Sequence, residues 1–155
     1  MTPEERLREL GFELPRVPPA VGTYVGAVPV GNILFVAGDG PFKDGKPTFI
    51  GKLGREFGVE EGKQAAQLVM LNMLATIKDT VGDLDGIKKV VKLLVLVNSM
   101  PEFGEQPSVA NGASDLLIEI FGLERGSHAR SAVGMAALPF GIAVEIEGIF
   151  HLTGK

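Results

Sequence analysis

The apolar residues of this chain recur with two different periods, which separate predicted strands from predicted helices. Residues 23–41 and 128–150 each contain two strand-like apolar runs, and residues 143–152 alternate as in a strand that buries one face. Residues 88–98 are apolar almost throughout and rich in valine, which predicts a strand inside a sheet. Residues 60–81 and 107–121 carry apolar side chains every three or four positions and are therefore predicted to form two amphipathic helices.

Capping residues mark where the helices begin and end. Thr2 and Glu5 fit a capping box, which predicts a short extra helix at the N-terminus. Gly82 and Gly122 follow the two longer helical segments, where a glycine commonly ends a helix. A Pro-rich connector follows the first helix, so we assign residues 1–20 to that helix and the connector.

Turn signals join the predicted strands in pairs. Gly31 after Val30 predicts a hairpin, and a second turn is predicted over residues 43–46. A turn with proline and glycine is predicted to join the two strands of residues 128–150 as a closing hairpin. The order ββ-α-β-α-ββ predicts a single α+β domain over residues 1–155, with two helices packed on one face of a mixed sheet.

Composition excludes several classes of site. The chain has 155 residues, a formal net charge of −4, no cysteine and two histidines. Disulfides, thiol catalysis and cysteine- or histidine-rich metal sites are therefore excluded, and we expect neither a metal nor a cofactor. The acidic charge argues against nucleic-acid binding. The N-terminus lacks the apolar core of a signal peptide and no segment is long enough to span a membrane, so we expect a cytoplasmic protein.

Two local patterns receive structural interpretations. Residues 40–46 resemble a phosphate-binding loop, but Pro47 stands where serine or threonine should bind magnesium, so we predict a hairpin turn. Asp39, Asp83 and Asp85 lack the spacing of metal ligands and are interpreted as turn and capping residues.

The charges of the closing segment raise the question of function. Glu145 and Glu147 alternate with Val144 and Ile146 and should lie on the opposite face. If the apolar residues of both strands are buried together, the register places Arg130 on the same face as the two carboxylates. That face either is solvated and carries a weak surface ion pair, or forms half of a carboxylate-binding pocket that another subunit covers.

The segment ARSAVGMAALPFGIAVEIE resembles the signature of the Rid/YjgF family, the reactive-intermediate (enamine/imine) deaminases. The segments GTYVGAV, NILFVAGDGP and VVKLLVLVNSMPEF resemble other characteristic stretches of this family and occur in the same order. The N-terminal helix and a longer loop before Asn111 indicate a longer subgroup. The resemblance implies a chorismate-mutase-like fold, assembled as a homotrimer with ligand clefts between subunits. It also implies a hydrolase like RidA, a 2-iminobutanoate/2-iminopropanoate deaminase, which converts reactive 2-imino and 2-enamino acids to 2-keto acids and ammonia without a cofactor.

The resemblance also implies roles for individual residues. Arg130 matches the arginine that holds the substrate carboxylate, Glu145 the glutamate that places the attacking water, and Tyr24 the tyrosine at the cleft. A guanidinium suits the first role because it binds a carboxylate through two charge-assisted hydrogen bonds. The other expected substrate contacts are the backbone N–H groups near Gly38 and Ala132 and the side chain of Asn111.

Some positions depart from the family pattern. Ala37 stands where many members carry serine, Asp39 where glutamine is common, His128 where proline is usual, and Ala132 where some members have cysteine. These departures favour a second hypothesis, a non-catalytic trimer that binds a small carboxylate as a sensor or partner protein. A third hypothesis, ribonuclease or translation-inhibiting activity, follows from older names of the family and is disfavoured by the acidic charge.

Overall fold

The computed structural model describes residues 1–17 and 19–154; Pro18, which belongs to the predicted connector, and Lys155 lie outside the described residues. A five-stranded mixed sheet and three α-helices form an α+β fold, as predicted. The helices are α1 (Pro3–Glu9), α2 (Val59–Val81) and α3 (Gln106–Gly126). The strands are β1 (Ala27–Val30), β2 (Ile33–Asp39), β3 (Phe42–Lys43), β4 (Lys46–Pro47), β5 (Ile87–Asn98), β6 (Ala129–Met135) and β7 (Val144–Leu152).

The five-stranded sheet has the order β1-β2-β7-β5-β6. Strands β5 and β6 are parallel, and the other neighbours are antiparallel. Helices α2 and α3 contact each other and the sheet, so one face of the sheet is covered and the other is open. None of the helices in the described ranges is long and apolar enough to cross a membrane.

The local predictions at turns and helix starts are confirmed. The Thr2 hydroxyl accepts a hydrogen bond from the Glu5 N–H at 3.1 Å, and the Glu5 carboxylate accepts one from the Thr2 N–H at 2.7 Å, which completes the capping box. Val30 pairs with Ile33 across the predicted two-residue turn of the first hairpin. Strands β3 and β4 form the second predicted hairpin.

Helix α3 ends less simply than its sequence predicts. The backbone at Gly122 has a φ of 79°, so the helix that begins at Gln106 is interrupted after Phe121, as predicted. The chain then makes a further helical turn that reaches Gly126. Gly122 therefore ends the main helix without ending helical structure.

Helices α2 and α3 cross at two glycines. A Cβ at Gly112 would collide with the backbone carbonyl of Lys63, and a Cβ at Gly62 would lie 2.8 Å from side-chain atoms of Leu53 and Val109. The two backbones can approach this closely only because both positions lack a side chain. This contact fixes the position of α3, which supports Arg130 of the site described below.

The predicted closing hairpin is wrong, because β6 and β7 are not neighbours. Strand β5 lies between them, parallel to β6 and antiparallel to β7. A strand-helix-strand connection normally returns the chain parallel to the first strand, and α3 makes this connection from β5 to β6. Residues 136–143 then carry the chain to the other edge of β5, where β7 pairs with both β5 and β2.

The predicted face of Arg130 is also wrong. Arg130 pairs with the buried Leu93, whereas Glu145 pairs with Leu96, three positions further along β5. Paired residues project to the same side and successive residues alternate, so Arg130 faces the helices. Glu145 and Glu147 project from the open side. Small or apolar side chains occur on both sides of β6, so alternation alone did not identify the buried side.

Candidate functional site

A cleft of about 500 Å³ opens where strand β2 ends. Its walls come from the connector before β1, the end of β2, the C-terminal half of α2 and the turn that precedes β7. The aromatic rings of Phe42 and Phe140 line it, and they stack edge to face with ring centres 6.2 Å apart. The lining side chains that carry polar groups are Tyr24, Asp39, Thr76, Asp79, Thr80 and Glu145. A volume of this size accommodates a small organic molecule.

A β-bulge shapes the wall that β2 contributes. Val36 pairs with Gly148 and Asp39 pairs with Ile146, so two residues of β2 lie opposite a single residue of β7. A bulge bends its strand and redirects the side chains beside it. Asp39, the last residue of β2, lines the cleft directly after this bulge.

Gly38 lies within the bulge and leaves room for Glu145. A Cβ at position 38 would lie 2.6 Å from Oε2 of Glu145 and 3.0 Å from its Cδ. The carboxylate of Glu145 therefore packs directly on the backbone of Gly38. Two of the residues predicted for the site are thus in contact.

The two carboxyl groups at the end of β2 and in β7 titrate unusually. Burial raises the pKa of Asp39 to about 7, and the charge of Glu145 contributes to this increase. Burial also raises the pKa of Glu145, with a further contribution from Glu147. Because of its raised pKa, Asp39 can serve as a proton donor below pH 7. Within residues 1–17 and 19–154, no three His, Asp or Glu side chains are grouped so that they could hold a metal ion.

Sequence reasoning missed Asp39, which it interpreted as a turn residue. Asp83, interpreted in the same way, does accept a hydrogen bond from the Gly86 N–H at 2.9 Å and caps a short 3-10 turn. Asp39 instead ends strand β2, in which Leu34 and Val36 are buried. Its position directly after an apolar strand, where relatives commonly carry glutamine, was the available signal.

Tyr24 lies at the cleft, as its resemblance to the family implies. Its side chain is about half exposed, at 49%. Its hydroxyl accepts a hydrogen bond from the Val21 N–H at 3.2 Å. This bond ties the connector to the ring at the edge of the cleft.

Arg130 lies in β6 and donates three hydrogen bonds to residues of α3. Its Nη1 donates to Asn111 Oδ1 at 2.8 Å and to Ser114 Oγ at 3.1 Å, and its Nη2 donates to the Pro107 carbonyl at 3.2 Å. An arginine has five N–H donors. Within the described part of the chain, the Nε–H and one Nη2–H have no hydrogen-bond partner.

His128 supports this arrangement through Ser114. His128 Nδ1 lies 2.6 Å from the Gly126 carbonyl and therefore donates to it, which leaves Nε2 to accept from the Ser114 hydroxyl at 2.8 Å. The hydroxyl oxygen then accepts from Arg130. Burial lowers the pKa of His128, and the charge of Arg130 lowers it further, although the bond to Gly126 opposes this shift. The neutral imidazole thus orients the hydroxyl that receives Arg130.

The structure brings the predicted site residues together in two groups rather than one. The first group lines the cleft and comprises Tyr24, Gly38 and Glu145; the second lies on β6 and α3 and comprises Arg130, Ala132 and Asn111. Strand β5 separates β6 from β7, so the two strands lie roughly 10 Å apart. The register with β5 places the side chains of Arg130 and Glu145 on opposite faces. A single chain therefore does not present Arg130 and Glu145 to the same small ligand.

The chain matches a protein-family model over residues 4–145. The family is described as "YjgF/chorismate_mutase-like, putative endoribonuclease". The match includes all residues of both groups.

Known proteins resemble the chain over nearly its full length. Protein TCP17 of Trypanosoma cruzi is 46% identical over 95% of this chain and 92% of its own. The crystal structure of protein Atu1372 from Agrobacterium tumefaciens is 44% identical over 97% of this chain and 92% of its own, with a TM-score of 0.89. The structure of RidA from the Antarctic bacterium Psychrobacter sp. PAMC 21119 is 31% identical over 88% of this chain and 94% of its own, with a TM-score of 0.62.

Proposed function

Because this chain belongs to the YjgF/chorismate mutase-like family, we propose that it hydrolyses reactive 2-imino and 2-enamino acids to 2-keto acids and ammonia. A solved relative named RidA supports this activity. The resemblance of Arg130, Tyr24 and Glu145 to the family's functional residues supports it at the level of individual side chains. The substrate is a small 2-imino acid, and no cofactor takes part.

The way in which Arg130 is held is the observation that carries this proposal. Three hydrogen bonds from α3 fix the guanidinium before any ligand arrives. The two remaining donors, on Nε and Nη2, match the spacing of the two oxygens of a carboxylate. Because the guanidinium is already held in position, little binding free energy is lost in ordering it when a carboxylate binds.

A second copy of the chain supplies what one copy lacks. Arg130 and Glu145 lie on opposite faces of the sheet, so a ligand that contacts both needs Arg130 from one subunit and Glu145 from its neighbour. The open face of the sheet carries exposed apolar side chains, among them Val28 (47%), Phe35 (47%) and Val133 (41%). Burying such a face between copies is favourable, which supports the homotrimer that the family resemblance implies.

The reaction requires the protein to position the substrate and the attacking water rather than to supply a nucleophilic side chain. A protonated imine is already electrophilic at C2, so water attacks it when a base accepts a proton from the water. Glu145 is the base, and Tyr24 orients the substrate at the edge of the cleft. Backbone N–H groups near Gly38 and Ala132 stabilise the tetrahedral adduct, and Asn111 keeps Arg130 in place.

Release of keto acid from freshly generated imines tests this function. An amino-acid oxidase supplies the imine, and purified protein should accelerate formation of the keto acid over the rate in buffer. Arg130→Ala should lower the acceleration at least about 100-fold, since two charge-assisted hydrogen bonds are lost. Arg55→Ala, at an exposed position, is the matched control and should behave like wild type. Equal activity of Arg130→Ala and wild type would contradict the proposal.

A non-catalytic carboxylate-binding protein is the second candidate. It is favoured by Asp39, a carboxyl group that lines the cleft where relatives commonly carry glutamine. This candidate predicts that a 2-keto acid raises the melting temperature of wild type but not of Arg130→Ala, with no acceleration of imine hydrolysis. Turnover by the wild-type protein would exclude it.

A further inference from the structure

Two carboxyl groups of different elements share the cleft. Asp39 ends β2 and Glu145 lies in β7, and the bulge and the absence of a side chain at Gly38 bring both to the same cavity. Two carboxylates close together in a cavity repel each other, so such a pair retains one proton between its members.

No positive charge from the described part of the same subunit relieves this repulsion, and the neighbouring subunit's Arg130 is paired with the carboxylate of the substrate. None of the described lining residues is a lysine, arginine or histidine. The other ionisable side chains that face the cavity are Tyr24 from the connector and Asp79 from α2, and neither supplies a positive charge at neutral pH. Glu147, on the same side of β7 as Glu145, adds a further negative charge. All the acidic groups around the cavity therefore affect how strongly the pair of Asp39 and Glu145 holds its proton.

We propose that Asp39 is the general acid and Glu145 the general base of one catalytic pair, so that Asp39 protonates the departing amine. This role rests on the proposed hydrolysis of imines. The two carboxyl groups divide the work because Asp39 is the more deeply buried of the two and keeps the proton, while Glu145 lies against Gly38 and accepts the proton of the water.

The imine is hydrolysed by addition of water and then loss of ammonia. Water attacks C2 of the protonated imine, a C–O bond forms, the C=N π pair moves to nitrogen, and Glu145 accepts a proton from the water. Asp39 then donates its proton to the amine of the resulting carbinolamine. The C–N bond breaks with its electron pair on nitrogen, the hydroxyl oxygen forms the C=O bond, and the hydroxyl proton returns to Asp39. Glu145 gives its proton to the released ammonia, so that one protonated imine and one water yield one keto acid and one ammonium ion.

Asp39→Asn tests this role because the amide keeps the shape of the side chain but cannot donate a proton in this way. Its rate of imine hydrolysis at pH 6 should be about 100-fold below that of wild type. The ratio of the two rates should shrink as the pH rises from 6 to 8, since wild type loses the proton of Asp39 over this range. Asp39→Glu should recover part of the activity. Asp44→Asn, in the exposed turn between β3 and β4, should match wild type.

The outcomes separate this inference from the proposed function. Active wild type with an equally active Asp39→Asn, or a ratio of rates that does not change with pH, would overturn the role of Asp39 and leave the hydrolysis standing. Inactive wild type would overturn the hydrolysis and the role together. A carbon NMR titration of the Asp39 carboxyl gives a readout apart from turnover: its midpoint should lie near pH 7 and fall in Glu145→Gln. A midpoint near 4 would also overturn the inference.

Discussion

The carboxylate of Glu145 lies against the backbone of Gly38, so closely that a Cβ at position 38 would be 2.6 Å from Glu145 Oε2. Glycine at this position therefore leaves the space that the Glu145 carboxylate occupies. Because the colliding atoms belong to the end of a flexible side chain, a methyl group there would move the carboxylate rather than the backbone.

Gly38→Ala should separate activity from stability. The displaced Glu145 no longer places the attacking water, so imine hydrolysis should fall at least about tenfold. The melting temperature should change by only a few degrees, corresponding to about 1 kcal/mol. Gly104→Ala, where a Cβ meets no atom within 4 Å, is the matched control and should leave both quantities unchanged. A Gly38→Ala variant with full activity would show that the position of Glu145 is not critical.

Folding stability should depend on pH through Asp39. The pKa of this carboxyl is about 7 in the folded chain against an ordinary value of 3.8, so the folded state binds more protons between these values. Stability should therefore fall as the pH rises from about 4 to about 7, by up to about 4 kcal/mol, and level off above. Asp39→Asn removes this contribution and should be more stable than wild type at pH 8.

Urea denaturation of both proteins at pH 5 and pH 8 measures this difference. The free energy of unfolding should favour Asp39→Asn more strongly at pH 8 than at pH 5, since wild type has lost only part of this contribution at pH 5. A difference between the two proteins that is the same at both pH values would contradict the raised pKa of Asp39.

The crossing of α2 and α3 should tolerate no side chain at Gly112. A methyl group there collides with the Lys63 carbonyl, and a backbone atom cannot rotate away. Gly112→Ala should therefore destabilise the fold by about 3 kcal/mol, measured by chemical denaturation. Gly104→Ala again serves as control, and equal stability of the two variants would mean that the helices are further apart than the structure indicates.

The hydrogen bonds around Arg130 should contribute to the affinity for carboxylates. Ser114→Ala removes one acceptor from the guanidinium and leaves His128 Nε2 without its donor. Affinity for a small 2-keto acid, measured by calorimetry, should fall about tenfold, as for one charge-assisted hydrogen bond. Ser127→Ala, whose hydroxyl bonds only to the Leu123 carbonyl, should bind as wild type does. Equal affinities of Ser114→Ala and wild type would show that Ser114 does not contribute to carboxylate binding.

The features that depend on local sequence were predictable. The capping box of Thr2 and Glu5, the hairpin at Gly31 and the interruption of α3 at Gly122 each follow from residues close together in the chain. The neighbour of β6 was not predictable in this way, because strand pairing joins distant segments. Apolar alternation predicts that a strand has two faces, but it cannot tell which face the helices cover when both are apolar or small.

The candidate site, too, was predictable only where it does not depend on the pairing of distant segments. Family resemblance pointed to Arg130 and Glu145, but their placement on opposite faces depends on the register in which their strands pair with β5. Asp39 was interpreted as a turn residue because its burial depends on a cleft built from four separate segments.

Mixed oligomers of Arg130→Ala and Glu145→Gln test the central claim, that one chain supplies Arg130 and its neighbour Glu145. Each variant alone should be nearly inactive, because every site lacks one of the two groups. The two variants are coexpressed with different tags, and the mixed oligomers are isolated by two successive affinity steps. In a mixed trimer, one of three interfaces pairs an intact Arg130 with an intact Glu145, so activity should return to about one third of wild type. Mixed oligomers no more active than either parent would contradict a shared site.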